Sequence, residues 1–339
     1  MIKLLVPKMP PIEAAMPYIK RAEEAKHYSN FGLNVRDLED RLSKHYGGAY
    51  VVSVANCTLG LELAYLYKRI QGYTKIELPA LTFPATWLSA TRGGLEVVPI
   101  DVDKDTWIAP GVAGFGLPSY APVVDAAGAF GEQSVPILKG GMTAVFSGHA
   151  TKSVGGGEAG WVTTWDEREA DWIRRASNFG IVNGQSVDFG TNAKLSEYSA
   201  AMLLASLDAW DREAWLQLHD WYNKHLPASV VRQKRPRGAY TLMPVKLPVP
   251  AQPVLEAMKA KGVETRRWYT PAMHKHPMFV SPGINRATRR AKKYPPLPVT
   301  EDLETHLLGL PHHLFLSERD IQQVCETLAQ VVEEAEVVA

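Results

Sequence analysis

The sequence has little cysteine, almost no net charge and no long apolar run. Its 339 residues include two cysteines, and 37 basic residues face 36 acidic ones for a formal net charge of +1. Cysteines as far apart as Cys57 and Cys325 form no disulfide framework or metal motif and indicate a reducing, cytoplasmic setting. No stretch approaches the ~20 apolar residues that span a bilayer, and the apolar run at 4–6 is shorter than a signal peptide requires. The balanced charge argues against nucleic acid or a membrane surface as the main partner.

Strand and helix patterns alternate from residue 34 to about 210, which predicts an α/β fold with a mostly parallel sheet. Asn34, with Asp37 three residues later, predicts a helix N-cap, and residues 195–221 predict one long helical region. A helix that opens at Ser317 with Asp320 as its capping partner predicts the end of a smaller domain. We place the two domains at 1–215 and 216–339. The predicted strands lie at 50–54, 75–78, 95–100, 122–124, 144–146, 161–164 and 240–247, and a further helix lies at 254–261.

Residues 155–160, Gly-Gly-Gly-Glu-Ala-Gly, have the spacing of a dinucleotide-binding loop. Such a loop must open a helix, because the pyrophosphate binds the N-terminal amides of that helix. Here the next residues, Trp-Val-Thr-Thr-Trp at 161–165, predict a strand. We therefore interpret the glycine-rich segment as a flexible turn between two strands.

Directly before this turn stands Ser-Gly-His-Ala-Thr-Lys at 147–152. A lone lysine is usually a solvated surface residue, but three other segments complete a pattern with it. They read Val-Asp-Ala-Ala-Gly-Ala-Phe-Gly at 124–131, Asn-Cys-Thr-Leu-Gly-Leu at 56–61 and Gly-Thr-Asn-Ala-Lys-Leu-Ser-Glu at 190–197. Together these segments resemble the nucleotide-sugar aminotransferases of the DegT/StrS type, over about residues 28 to 332.

The resemblance implies fold type I of the enzymes that use pyridoxal 5′-phosphate (PLP). This fold has a three-layer α/β/α large domain with a mostly parallel sheet and a smaller C-terminal α+β domain. Lys152 stands in the position that forms the internal aldimine with PLP and then moves the substrate proton. Asp125 follows a predicted strand and would keep the pyridine nitrogen protonated, although a helix N-cap is the competing interpretation.

The resemblance also implies which residues hold the cofactor, in its PLP and pyridoxamine (PMP) forms. Thr58 and Leu59 open a predicted helix after a strand, where backbone amides suit a phosphate, and Ser147 would add a hydroxyl donor. Phe83 would stack on the cofactor ring, unless it is an ordinary core residue. His149 lies beside the cofactor in the family, and the sequence leaves open whether its role is chemical or structural.

Two further implications concern the substrate and the assembly. Asn192 would reach the cofactor phosphate of a neighbouring subunit, so that a homodimer shares its active sites. Arg266, within a small-domain segment at 262–269 that resembles the family's, would face the site or form a surface ion pair. The basic cluster at 286–293 has five cations in eight residues. It is either a solvated surface or a diphosphate-binding segment that includes Arg289 and Arg290. No metal site is predicted.

The chain departs from the family pattern at two places. Gly128 stands where the family has glutamine or another polar residue near the phenolic oxygen of the cofactor. Residues 105–124 form a shorter segment than the family has, so we expect helical cover over the sheet to be missing there and a partner subunit to supply it.

The leading hypothesis is a PLP-dependent aminotransferase that converts a keto group of a nucleotide-linked sugar to an amine. The resemblance implies L-glutamate as amino donor and a ping-pong mechanism, and Lys152 argues against the family's dehydratase branch, which has histidine there. Two alternatives stay open: a PLP enzyme acting on a modified nucleotide or nucleic-acid base, and a non-catalytic PLP-binding regulatory protein. The sequence specifies neither the sugar nor the position of its ketone.

Overall fold

The computed structural model describes residues 1–133, 142–280 and 293–338. The helices are α1 (Ile12–Glu24), α2 (Leu33–His45), α3 (Cys57–Ile70), α4 (Pro84–Arg92), α5 (Glu167–Ala176), α6 (Glu197–Asp208), α7 (Arg212–His225), α8 (Ala251–Ala260), α9 (Pro277–Val280), α10 (Pro298–His306) and α11 (Glu318–Val338). The strands are β1 (Tyr50–Val54), β2 (Lys75–Pro79), β3 (Glu96–Ile100), β4 (Val123–Asp125), β5 (Thr143–Ser147), β6 (Gly160–Thr164), β7 (Ile181–Val182), β8 (Gln185–Ser186), β9 (Val231–Arg232), β10 (Met243–Lys246) and β11 (Leu307–Leu310). Within these described ranges, no helix combines the length and the apolar character needed to cross a bilayer.

A four-stranded sheet in the order β1-β6-β5-β4 forms the centre of the larger part of the chain. Strand β4 pairs in parallel with β5, and β6 pairs antiparallel with both β5 and β1, so three of the four strands share one direction. Strands β2 and β3 pair in parallel beside this sheet. Gly111 lies in the gap, since a Cβ there would be 2.8 Å from Leu78 and 3.9 Å from the Val123 carbonyl. The predicted mostly parallel sheet is confirmed.

Helices cover both faces of this sheet. On one face, Val145 and Val162 pack in a buried cluster with Leu61 of α3. On the other face, Phe146 of β5 belongs to a second cluster with Leu203 of α6. Successive strand residues thus alternate between two cores, and β5 and β6 are buried along their whole length. This is the three-layer α/β/α arrangement of fold type I, as predicted.

The C-terminal part of the chain has a separate apolar core around the antiparallel sheet β9-β10-β11. Trp215 of α7, Val245 of β10 and Val324 of α11 are buried in it. The reciprocal cap of α11 is confirmed, because the Ser317 N–H donates to Asp320 Oδ2 at 2.8 Å and the Asp320 N–H donates to Ser317 Oγ at 3.2 Å. The proposed boundary at 215/216 falls inside α7 and stays a prediction.

Two local predictions were wrong. Helix α2 begins at Leu33, so Asn34 is not its N-cap; the Asn34 N–H instead donates to Glu197 Oε2 at 2.6 Å. The region 195–221 is two helices, because Asp211 starts a new one by accepting the N–H groups of Glu213 and Ala214. Residues 101–122 contain no α-helix, only a 3-10 turn at Gly114–Gly116, and the loss of helical cover relative to the family stays a prediction. Whether a partner covers this region stays a prediction.

Candidate active site

The candidate site lies at one edge of the four-stranded sheet. Register pairs Gly160 at the start of β6 with both Val54 and Ser147, the last residues of β1 and β5. Asp125 ends β4, which runs parallel to β5. The loop 148–159 that carries Lys152 joins β5 to β6, so the glycine-rich segment is the predicted turn between strands. Strand direction therefore places the acid, the amine and the start of α3 together.

Asp125 is buried and accepts two hydrogen bonds. Thr86 Oγ1 donates to Oδ2 at 2.6 Å, and the Ala127 N–H donates to Oδ1 at 3.1 Å. Burial raises the pKa of the Asp125 carboxyl, while these two bonds and the charge of Lys152 lower it. The carboxylate is thus held in one orientation and stabilised by its donors, as required for a group that pairs with a protonated ring nitrogen.

Lys152 is partly buried beside this carboxylate. Burial lowers the pKa of its amine, and the neighbouring Cys57 and Asp125 oppose that shift. No carboxylate of the described residues forms an ion pair with it. A lowered pKa makes a neutral, nucleophilic amine more available near neutral pH, which is the property that condensation with an aldehyde needs.

The N-terminus of α3 follows β1 directly, as predicted. Asn56 caps the helix, because its side chain accepts the Leu59 N–H at 2.9 Å. The Leu59 amide is therefore already paired, and Thr58 lies between Asn56 and Leu59 in the chain. A Cβ on Gly160 would lie 2.6 Å from the Cys57 backbone nitrogen, so only glycine lets β6 pass this close to the helix. Unpaired amides at a positive helix end suit a phosphate.

Ser147 and His149 follow β5 at the same edge. Ser147 is buried, and its Oγ accepts the His149 N–H at 3.2 Å while keeping its own proton to donate. The His149 ring bonds Thr151 Oγ1 at 2.9 Å and lies 3.6 Å from a carboxylate oxygen of Glu158. The ring thus contacts residues of its own loop, and a chemical role for His149 stays a prediction.

Aromatic rings border the site. Phe83 precedes α4 and is 55% exposed, which is unusual for a core residue and fits a ring left open to a planar ligand. The ring centroids of Tyr269 and Phe83 are 6.5 Å apart. The Tyr269 ring also stacks on the Phe115 ring, with 5.9 Å between their centroids. Burial and the charge of Asp125 raise the pKa of Tyr269, and the exposed Arg266 lowers it. The charge of Arg266 thus reaches Tyr269, and whether its side chain faces the site or forms a surface ion pair stays a prediction.

The remaining candidates do not join this group within one chain. Asn192 is exposed and forms a backbone bridge with Asn178 next to the β7–β8 hairpin. Arg289 and Arg290 lie outside the described residues. Their roles stay predictions.

Three residues of the site were not singled out by the sequence reasoning. Thr86 binds Asp125, Cys57 lies close enough to alter the pKa of Lys152, and Tyr269 reaches the site from the small domain. All three belong to motifs that the sequence shows. Their individual roles depend on contacts between segments that are far apart in the chain.

Comparisons with known proteins agree with this geometry. A sequence model of the DegT/DnrJ/EryC1/StrS aminotransferase family matches residues 12–110 and 121–329. Protein Rv3402c of Mycobacterium tuberculosis is 28% identical, over 99% of this chain and 90% of its own. The dTDP-4-amino-4,6-dideoxy-D-glucose transaminase of Shigella dysenteriae is 22% identical, over 96% of this chain and 97% of its own. The crystal structure of DesI with its TDP-sugar product is 28% identical with a TM-score of 0.84, covering 98% of this chain and 94% of that one.

Proposed function

Because the chain belongs to the DegT/DnrJ/EryC1/StrS aminotransferase family, we propose that it transfers an amino group to the keto carbon of a nucleotide-linked sugar. It is a PLP-dependent transaminase of a family that includes sugar aminotransferases. The observation that supports the proposal is the placement at one sheet edge of a buried carboxylate with two hydrogen-bond donors, Asp125, and a lysine of lowered pKa, Lys152. The names of the similar transaminase and of the DesI complex support a nucleotide sugar as the acceptor.

The residues of this edge fit PLP in their chemistry. Asp125 offers a carboxylate for the ring nitrogen, Phe83 an exposed ring face, and Ser147 with the α3 amides a phosphate cradle that Gly160 keeps open. Bound PLP supplies an aldehyde that condenses with amines and a ring that takes up electrons from the bond being broken.

The chain then supplies positioning and proton transfer. Lys152 Nζ, once free, would accept the proton from the α carbon of the amino donor and deliver it to the carbon of the bound cofactor that carries the nitrogen. With the keto sugar it would move a proton in the opposite direction, to the sugar carbon that gains the amine. Asp125 holds its charge against the ring because Thr86 and Ala127 fix both of its oxygens. We assign L-glutamate as the amino donor. The enzyme would take up the amino group from glutamate in one half-reaction and deliver it to the sugar in a second one.

Two measurements test this assignment. Adding L-glutamate to the holoenzyme should shift the visible absorbance of the cofactor, and the pyridoxamine form should then aminate one of a panel of 3-keto and 4-keto nucleotide sugars. Lys152→Ala should lose both the band and the reaction. Amination of a modified base, with no sugar accepted, would replace the proposed acceptor. A holoenzyme whose band is indifferent to amino donors would refute transamination.

We further propose a homodimer with shared sites. The segment directly after the β7–β8 hairpin exposes apolar side chains that a monomer would leave in water, Val187 at 58% and Phe189 at 75%. Asn192 follows this hairpin and would reach the phosphate of the partner's cofactor.

Phe189→Asp should yield monomers by analytical ultracentrifugation and lower cofactor retention. Val337→Asp is the matched control, because Val337 is 85% exposed on the last helix, away from the hairpin. A fully active monomer would refute site sharing.

A further inference from the structure

A cavity of about 330 Å³ lies in the small domain. It is bounded by α7, by the basic turn at 232–237 and by the start of β10. Its charged lining comprises Asp220, Arg232, Lys234, Arg235 and Arg237. Four cations and one carboxylate give this lining a charge of +3, although the whole chain carries only +1. Neither Lys152 nor Asp125 contributes to it.

Arg235 is a cation without a counter-charge. Its guanidinium stacks over Tyr240 at 4.3 Å and donates to the Leu242 carbonyl at 3.1 Å and to Met243 Sδ at 3.3 Å. Throughout the described ranges, no carboxylate forms an ion pair with it. Burial lowers the pKa of Arg235 to about 10. Neutral dipoles orient this guanidinium but leave its charge uncompensated, so an anion would gain from binding it.

A second arginine, Arg232, is exposed but also lacks a carboxylate partner, whereas a third has one. Arg232 donates to the carbonyls of Asn223 at 3.2 Å and Leu226 at 3.3 Å, again without a carboxylate partner in the described parts of the chain. Arg237, in contrast, donates to both oxygens of Asp220, from Nε to Oδ1 at 3.0 Å and from Nη2 to Oδ2 at 2.8 Å. The one carboxylate of the cavity is therefore already occupied, and two guanidinium groups remain.

His219 adds a buried polar atom to the same wall. The residue is only 6% exposed, and its Nδ1 has no hydrogen-bond partner. Burial and the charge of Arg235 lower the pKa of His219 to about 4, so the ring is neutral near pH 7. An unpaired buried nitrogen in a polar cavity is costly unless a ligand or water satisfies it.

We propose that this cavity binds a small phosphate-bearing molecule, with Arg232 and Arg235 as its principal contacts. A phosphate offers several acceptor oxygens to the planar donor fork of each arginine, and such charge-assisted bonds are the strong ones. The volume lies at the lower end of small-molecule pockets, ~300–1,000 Å³, which suits an organic phosphate or a diphosphate. The inference stands apart from the transaminase assignment, since it uses none of the residues at the cofactor edge.

Isothermal titration of the holoenzyme with inorganic pyrophosphate tests the proposal. We expect saturable binding that weakens about 10-fold or more in Arg235→Met, because the substitution removes a hydrogen-bonded charge pair with the ligand. Methionine is long enough to keep the packing against Tyr240. Arg232→Met should weaken it similarly. The matched control is Arg92→Met, whose arginine is exposed on α4 and pairs with Glu62. Inorganic phosphate should bind more weakly than pyrophosphate.

The active site could also take up pyrophosphate, and Arg266→Met separates the two sites. Weakening by Arg266→Met with no effect of Arg235→Met or Arg232→Met would overturn the proposal, as would absence of saturable binding. If Arg235→Met does not fold, Arg232→Met combined with Lys234→Met decides the question on the same criterion. Equal loss in Arg92→Met would show non-specific charge attraction and would also overturn it.

Discussion

Replacing Thr86 by valine keeps the shape of the side chain and removes the hydroxyl that donates to the Asp125 carboxylate and bonds Thr82. The bond is 2.6 Å long and fully buried. Thr82 Oγ1 lies 2.9 Å from Thr86 Oγ1, so Thr82 donates to the hydroxyl whose own proton goes to Asp125. A hydrogen bond to a charged group contributes ~1.5–3 kcal/mol, which corresponds to about 10- to 100-fold in an equilibrium constant.

This loss has a defined direction. Burial already raises the pKa of Asp125, and the Thr86 bond opposes that, so Thr86→Val should raise the pKa further. A protonated Asp125 cannot pair with a protonated ring nitrogen. We therefore expect cofactor affinity to fall by about 10- to 100-fold. The acid limb of the pH–rate profile should move to higher pH.

The assay is a titration of the apoenzyme with PLP, followed by absorbance at several pH values. Thr86→Ser should behave like the wild type, because it keeps the hydroxyl. Thr91→Val is the matched control on the same helix, since the Thr91 hydroxyl donates only to the Trp87 carbonyl. Unchanged affinity and an unchanged acid limb in Thr86→Val would refute the positioning role.

Three other changes have expected outcomes in unfolding experiments. Gly160→Ala places a Cβ 2.6 Å from the Cys57 nitrogen and should cost ~1–3 kcal/mol in denaturant unfolding, together with weaker cofactor binding. Glu169→Gln leaves Lys68, its buried partner at 3.2 Å, without a counter-charge and should cost ~3–5 kcal/mol. His312 is buried and its pKa is well below its usual value, so the unfolded chain binds this proton more readily and stability falls as pH drops below about 6.5; His312→Phe should flatten that dependence.

The first two of these changes have a matched control in the same chain. Gly128→Ala should change stability by less than ~0.5 kcal/mol, because the nearest atom to its Cβ is a hydroxyl at 3.6 Å. Lys104→Met removes an exposed ion pair with Asp105 and should leave the free energy of unfolding nearly unchanged. If Glu169→Gln costs no more than Lys104→Met, or if His312→Phe keeps the wild-type pH slope, the burial arguments fail.

The sequence predicted the strands of the large sheet to within one or two residues. Their β-branched and aromatic runs are buried on both faces, so local composition and tertiary environment agree. The break at 209–211 also has a local signal, since Asp211 is a good N-cap. The apolar period continues on both sides of it, and for that reason one helical region was predicted. In these cases the physical signal is local.

The start of α2 shows what the sequence could not reveal. Its first amides are satisfied by Glu197, whose Oε2 accepts from Asn34 at 2.6 Å and whose Oε1 accepts from Val35 at 3.3 Å. A Cβ on Gly32 would lie 2.6 Å from the Glu197 carboxyl carbon, so glycine admits this distant cap. A helix capped by a residue 163 positions away has no local signature, and the pairing of Thr86 with Asp125 is of the same kind.

Gly128 connects the departure from the family pattern with the packing of the small domain. The Gly128 carbonyl accepts from Thr241 Oγ1 at 3.3 Å, and a Cβ on Gly116 would lie 3.1 Å from that carbonyl and 3.2 Å from the Tyr240 ring. The loop after Asp125 thus contacts two other segments through the backbone of Gly128. Gly128 has no side chain that could make the cofactor contact that the resemblance implies for the family's polar residue at this position. Because Tyr240 and Thr241 precede β10, the small domain helps to fix the carboxylate loop of the large one. A change in the position of the small domain relative to the large sheet would therefore move the loop that follows Asp125.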